Sequence, residues 1–366
     1  MSTPFNVGII GCGNISNAYL NGTQKFPILK TVAVADLDAS RAKAKADEFK
    51  VQAHTVESLL ADPGIDIVIN LTVPKVHAAV NKAILEAGKH AYTEKPFALD
   101  LAEGKEVVAL AQRKGLRVGC APDTFLGAGG QTARKLIDDG VIGEPLAAVG
   151  NMLGRGPEGW HPDPEFFYQF GGGPMLDMGP YYLTALVNLL GPIRRATGSS
   201  RASFAERTIG SGAKAGNKIR VEVPTHYSGT FDFVSGPIAT LNVSFDVHHH
   251  TMPIIEVYGS EGTLRVPDPN TFGGDVQVKK AGEKEWTTVP HTHSDQVCRS
   301  IGVADMAAAI RNGRPHRASG ELALHVLEAM LAVPIASERG SHVTFGTTVD
   351  RPLALKPGLP LGEIGD

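Results

Sequence analysis

The stretch Phe5-Asn6-Val7-Gly8-Ile9-Ile10-Gly11-Cys12-Gly13-Asn14-Ile15-Ser16 decides the fold. It begins as an apolar run of strand length, Phe5–Ile10, turns through two glycines and enters a helical pattern from Ser16 to Lys25. A continuous apolar run bounded by turn residues suits a strand buried on both faces. Gly11 permits the tight turn. Gly13 lets a pyrophosphate approach the backbone at the helix N-terminus, where amide N–H groups point outward. Ser16 stands where a third glycine is usual and is small enough for close helix–strand packing. The next strand pattern, Thr31–Ala35, ends at Asp36. That is about 20 residues on, the spacing of an acid that holds the adenosine ribose of a dinucleotide. A carboxylate there repels a 2′-phosphate and so favours NAD over NADP. A glycine turn with Asp36 merely capping the following helix would use the same residues.

Outward from this unit the alternation continues. Helical Ala39–Phe49, a short helix start at His54–Leu60, apolar Asp66–Thr72, helical His77–Ala87, strand-like His90–Thr93, helical Leu101–Lys114 and strand-like Leu116–Cys120 follow in order. Strands alternating with helices predict a parallel sheet covered on both faces.

After Cys120 the pattern changes. Helical Gln131–Asp139 stops at Gly140. In Ile238–Val247, Leu241, Val243, Phe245 and Val247 alternate with Thr240, Asn242, Ser244 and Asp246, the signature of a strand with one apolar and one polar face. Thr225–Phe233, Pro253–Tyr258, Thr263–Val266 and Val276–Lys280 read as further strands, and helices return at Gln296–Arg311 and Glu321–Ser337. The expectation is an α/β chain in two domains. A Rossmann domain binds the dinucleotide over residues 1–122. An α+β domain for substrate and oligomerisation, built on a large open, mostly antiparallel sheet, covers 123–366. Arg201–Asn217 and Lys356–Asp366 are the most linker-like stretches.

Composition limits the functions available. The 366 residues carry a formal net charge of −3, which gives no electrostatic footprint for nucleic acid or anionic lipid. The three cysteines, Cys12, Cys120 and Cys298, are far apart and form no CxxC, which argues against a disulfide framework or zinc knuckle and suits the reducing cytoplasm. The N-terminal apolar run has no basic flank and does not read as a signal peptide. No apolar run is long enough to cross a bilayer.

Three further motifs follow at fixed order: Thr72-Val73-Pro74-Lys75-Val76-His77, Glu86-Ala87-Gly88-Lys89-His90 and Glu94-Lys95-Pro96. With the opening turn they make the chain resemble the Gfo/Idh/MocA family over essentially its whole length. Gly140-Val141-Ile142-Gly143, Gly171-Gly172-Gly173 before Leu176-Asp177-Met178-Gly179, and Val257-Tyr258-Gly259-Ser260-Glu261-Gly262-Thr263 resemble that family's second domain. The resemblance implies an NAD(P)-dependent oxidoreductase acting on sugars or cyclitols. It implies that Gly11, Gly13, Asn14, Ile15, Asp36, Thr72, Pro74, His77, Glu94 and Lys95 line the cofactor, with Lys95 at the nicotinamide end touching the reacting hydroxyl. An ammonium there stabilises a developing alkoxide and can carry its proton. Pro96 would hold the Lys95 backbone, with a cis bond as one option. A homodimer or homotetramer is the expected assembly.

The family's Asp-x-Gly-x-His signature reads Asp177-Met178-Gly179-Pro180-Tyr181 here. Residues four apart share a helix face, so Asp177 and Tyr181 can serve one site. A phenol is a weak base unless a cation lowers its pKa from about 10. Two schemes stand: Tyr181 as base beside Lys95, or Lys95 as base with Tyr181 orienting the substrate. Asp177 also suits a helix N-cap, and Tyr181 also suits packing.

Asp123 follows the last Rossmann strand, at the edge where ligands bind. Arg155, Trp160 and His161 lie in a Gly/Pro-rich loop whose aromatic face suits C–H groups of a sugar, though a solvated loop would look alike. His248 and His250 share a strand face, and His291 and His293 repeat the spacing. Structural or substrate-contacting histidines fit better than metal ligands, and no metal is expected. Two rivals to a sugar or cyclitol dehydrogenase remain. One is a glycosidase that oxidises its sugar transiently on NAD, eliminates, hydrates and re-reduces. The other is a non-enzymatic NAD sensor, which retention of Lys95 and Asp177 disfavours.

Overall fold

A computed structural model describes residues 3–365, so only the last residue of the expected tail, Asp366, lies outside it. The chain divides into two compact units. The first comprises the chain through Ala128, Thr292–Leu324 and the chain from Pro352 onward. The second comprises Gly129–His291 and His325–Arg351.

In the first unit, β1 (Phe5–Ile10), α1 (Ser16–Thr23), β2 (Leu29–Ala35), α2 (Ala39–Phe49), β3 (Gln52–His54), α3 (Val56–Ala61), β4 (Ile67–Asn70), α4 (His77–Glu86), β5 (His90–Thr93), α5 (Leu101–Lys114) and β6 (Val118–Cys120) follow in order. The six strands are all parallel, in the order β3-β2-β1-β4-β5-β6. Strand order reverses between β1 and β4, and loops leaving the carboxyl ends of these strands form the ligand crevice of such a sheet. Local chemistry sets the ends. Asp38 caps α2 through the Ser40 and Arg41 amides, Thr55 and Ser58 form a capping box on α3, and Asp100 caps α5, which stops at left-handed Gly115.

The division at 122 leaves out two later segments that pack with this first unit. Cys120 N–H donates to the Ala318 carbonyl at 3.1 Å, and Arg299 pairs with Asp123 at 2.9 Å. The described part of the Lys356–Asp366 stretch belongs here too, and is not a linker: Gly358 N–H donates to the Thr292 carbonyl and Ile364 is buried.

The second unit holds α6 (Ala128–Asp138), β7 (Pro145–Leu153), α7 (Pro174–Leu190), β8 (Ile193–Arg201), β9 (Glu206–Thr208), β10 (Lys218–Arg220), β11 (His226–Phe233), β12 (Ile238–Ser244), β13 (Ile255–Gly259), β14 (Gly262–Val266), β15 (Val276–Lys280), β16 (Thr287–Val289) and β17 (Val343–Thr344). Nine strands form one sheet in the order β16-β15-β14-β13-β7-β12-β11-β8-β17, antiparallel except where β12 runs parallel to β7. The alternation read in β12 is real. Leu241 and Val243 are buried, and on the other face Asn242 joins a hydrogen-bonded row with Ser228 and Asn151 at 2.8 and 2.9 Å. Arg201–Asn217 is not a linker either. It contributes β9, which pairs with β10, and Ile209, which packs with Tyr168, Ile219 and Phe245 in a small core. The helix Gly320–Arg339 is long and apolar enough by composition to cross a membrane, and two-thirds of that stretch (67%) is buried in the protein.

Candidate functional site

The turn after β1 meets the demands of a dinucleotide. Gly11 has φ +103, and a Cβ there would sit 2.6 Å from the Leu71 carbonyl oxygen, so only glycine fits. A Cβ on Gly13 would meet nothing within 4 Å, and Gly13, Asn14 and Ile15 are exposed at the start of α1. Buried Ser16 donates from Oγ to the Gly13 carbonyl at 2.6 Å, which fixes the turn. Asp36 is oriented by two backbone amides, Cys12 N–H at 2.7 Å and Asp38 N–H at 2.9 Å. Two oxygens offer about four acceptor sites, so capacity remains for ribose hydroxyls. Open turn, helix N-terminus and positioned carboxylate together fit an NAD adenosine diphosphate.

Two strands from β1, the end of β5 carries Glu94 and Lys95. The Lys95–Pro96 bond is cis. Glu94 is buried (8% exposed). Its Oε1 accepts the Tyr19 hydroxyl at 2.9 Å and its Oε2 accepts Lys95 N–H at 3.0 Å. Burial, and secondarily the Glu94 charge, push the Tyr19 phenol well above its usual range, so it stays a donor. Tyr19 escaped the sequence reading because its partner lies far along the chain. His77 is a buried clip, its ring nitrogens 2.7 Å from the Pro96 carbonyl and 2.9 Å from that of Thr72. It thus ties the loop after β4 to the loop after β5. Thr72 is held by Asn70 through N–H and Oγ1, and Pro74 opens the short turn before α4.

Asp123 has a different role from the one expected. It is 0% exposed and accepts from Arg299, Ser300 N–H and Gly302 N–H at 2.9, 3.1 and 3.2 Å. It anchors the entry to the helix Ile301–Asn312 within the first unit. Burial raises its pKa and the Arg299 guanidinium opposes the rise.

In the second unit, α7 starts at Pro174 after Gly173, whose φ of +88 makes it the N-cap. Asp177 is therefore not the cap. It lies in the first turn, where its charge complements the helix dipole, and its N–H donates to the Gly173 carbonyl. Asp177 is half-buried and Tyr181, one turn on, is 6% exposed.

The loop before α7 carries the other candidates. Arg155 Nη1 lies 2.6 Å from His248 Nε2, Trp160 is 68% exposed, and His161 Nδ1 accepts Asp163 N–H at 3.0 Å. A buried ion-pair group missed in the sequence holds this loop. Arg207 meets Asp246 at 2.7 Å and Glu158 at 3.4 Å, and Glu158 also accepts the Tyr168 hydroxyl. No local pattern marks Arg207, whose partners come from separate segments. His291 and His293 bond to the Gly274 and Leu355 carbonyls. Among the described residues no group of three or more His, Cys, Asp or Glu is arranged for a metal.

Sheet order, glycine turn and placed carboxylate define the class: an oxidoreductase with an NAD-binding Rossmann domain. The family model for the NAD-binding Rossmann domain of Gfo/Idh/MocA oxidoreductases matches residues 5–121, and the model for the Gfo/Idh/MocA C-terminal domain matches residues 131–265. The chain belongs to the Gfo/Idh/MocA family. It is 28% identical to 1,5-anhydro-D-fructose reductase of Ensifer adhaerens over 93% of this chain and 98% of that protein. It is 25% identical to D-apiose dehydrogenase of Paraburkholderia graminis, over 93% and 89%. In structure it resembles levoglucosan dehydrogenase solved with NADH and L-sorbose, with TM-score 0.81 and 22% identity over 94% of this chain and 100% of that one, a likeness of fold.

Proposed function

We propose that this enzyme is an NAD-dependent dehydrogenase, or in reverse a reductase, of a sugar, glycoside or cyclitol. One observation carries the reading. Lys95 stands at the carboxyl end of β5, held by Glu94 and a cis proline, on the sheet edge that also carries the Gly11 turn and Asp36. Bound NAD supplies hydride acceptance at that edge. Asp36 would hold the adenosine ribose, and the exposed turn at Gly13, Asn14 and Ile15 would take the pyrophosphate. Lys95 stabilises the alkoxide that develops on the substrate and handles its proton. Asp177 and Tyr181 bind or orient the substrate, with Arg155, Trp160 and His161 supplying further contacts.

The relatives named above are a reductase and a dehydrogenase of carbohydrates, which supports net redox chemistry over the oxidoreductive glycosidase. The polar face of the large sheet, where Ser228 and Asn242 keep partial exposure beside buried Asn151, is the surface on which we place a homodimer or homotetramer contact. The assignment to the cytoplasm rests on the cysteine usage. The test is NADH formation, read by its ultraviolet absorbance, with a panel of free sugars, glycosides and inositols. Turnover of at least one is expected. Glycoside cleavage with no net NADH would overturn the reading, and so would no turnover anywhere in the panel. Light scattering at micromolar concentration tests the assembly, and a monomeric mass would refute it.

A further inference from the structure

Between β7 and α7 the chain displays aromatic rings to solvent. Trp160 is 68% exposed and Phe166 is 52% exposed, although water disfavours apolar surface of this size. His161 joins them edge-on, 5.5 Å from Trp160, 5.4 Å from Phe166 and 5.3 Å from Phe167. The result is one connected strip. It is held from beneath. Tyr168, 0% exposed, packs against Phe245, bonds to Glu158 and lies under the Arg207 guanidinium. The rings therefore cannot simply fold inward.

Two backbone hydrogen bonds connect this strip to the start of α7. Gly173 N–H donates to the Phe167 carbonyl at 2.7 Å, and Asp177 N–H donates to the Gly173 carbonyl at 3.1 Å. A Cβ on Gly172 would lie 2.4 Å from the Phe166 carbonyl oxygen, so the glycine turn presses directly on the aromatic segment. The strip and the first turn of α7 thus form one hydrogen-bonded stretch of the same unit. The strip offers mainly ring faces. The carboxylates at its rim, Asp163 and Glu165, are both engaged by Lys214 at 2.9 and 2.7 Å. A second sugar ring needs hydrogen-bond partners beside its stacking surface, whereas a planar aromatic group needs only the surface.

We infer that the substrate is a glycoside with an aromatic aglycone, and that Trp160, His161, Phe166 and Phe167 form the subsite for that ring. The inference rests on the sugar-oxidoreductase reading and adds the chemical class of the substituent.

The protein has two tryptophans, so Trp286→Phe leaves Trp160 as the sole tryptophan, read by excitation at the red edge where tyrosine does not absorb. That variant, loaded with NAD, is titrated with methyl and phenyl β-D-glucosides, galactosides and xylosides, and NADH formation is followed on the same compounds. Within at least one sugar series the phenyl glycoside is expected to bind about tenfold more tightly than the methyl glycoside, the fold-change for an aromatic pair worth about 1.4 kcal/mol. The phenyl compound should also shift Trp160 emission. Phe166→Ala, at an exposed position, should cut that preference to about twofold. Sugars or methyl glycosides turned over with no phenyl preference would overturn the aglycone subsite and leave the sugar reading standing. No response of NADH or Trp160 to any compound would overturn both. Concentration-dependent shielding of Trp160 from acrylamide in the ligand-free protein would assign the strip to a second copy of the chain and overturn the subsite.

Discussion

The Tyr19 hydroxyl donates to Glu94 at 2.9 Å, and the other oxygen of the same carboxylate accepts the Lys95 N–H at 3.0 Å. A helix that follows the glycine turn thereby sets the position of the lysine at the end of β5. Tyr19→Phe deletes one hydroxyl and leaves a buried carboxylate short of a donor, a loss of about 1–3 kcal/mol in stability. Because Tyr19 acts through Glu94, kcat should fall roughly tenfold and the pH–rate profile should shift, with NAD affinity changing less. If kcat and NAD affinity drop together and the profile stays put, Tyr19 only supports the fold.

Cofactor choice should follow Asp36. Removing its carboxylate in Asp36→Ala should weaken NAD by about 1.5–3 kcal/mol, the worth of hydrogen bonds to a charged group, and narrow the gap to NADP. Calorimetric titration with both cofactors decides it. Tighter NADP binding by the unmodified protein would refute the role given to this residue.

Lys95→Ala should lower kcat by about 10²–10³, equivalent to roughly 3–4 kcal/mol of lost transition-state stabilisation. NAD affinity should change little, since the Gly11 turn and Asp36 are untouched. Tyr181→Phe then separates the two proton schemes. If Tyr181 is the base, the variant matches Lys95→Ala in severity and loses an ionisation from the pH–rate profile. If Lys95 is the base, the profile survives. Near-native turnover by Lys95→Ala would remove the catalytic assignment altogether.

Acid should destabilise the fold through buried histidines. His325 Nε2 accepts the Ile193 N–H at 2.9 Å, and burial lowers its pKa from 6.5 to about 4. His90 is lowered to about 4 as well, mainly by burial and then by the Arg117 charge. With folded pKa values below the unfolded ones, the unfolded chain binds more protons between these limits. Stability is fully present above the unfolded pKa and falls as pH drops toward the folded one, by at most about 3 kcal/mol per histidine. His325→Gln keeps an acceptor, cannot titrate there, and should remove part of that slope in denaturant melts, the rest coming from His90 and from His316, which burial also lowers. An unchanged slope would show that His325 does not contribute.

Local chemistry made the first unit readable from the chain alone. The ends of β1, α2, β5 and α5 fall where the residues predict them, because apolar runs, Asp38, Asp100, Gly11 and Gly115 act on their immediate neighbours. The dinucleotide turn and the presence of Asp36 at the end of β2 are equally local. Only the tertiary structure decided what depends on distant partners. Asp123 became an anchor because Arg299, Ser300 and Gly302 return to it. Arg207 became a buried ion-pair centre, and Arg201–Asn217 part of a small core, because Glu158, Tyr168 and Asp246 converge there. Asp177 moved from cap to first turn because Gly173 and Pro174 start the helix earlier. Hydrophobic period and turn chemistry extend over a few residues, whereas desolvation of a charge depends on everything folded around it.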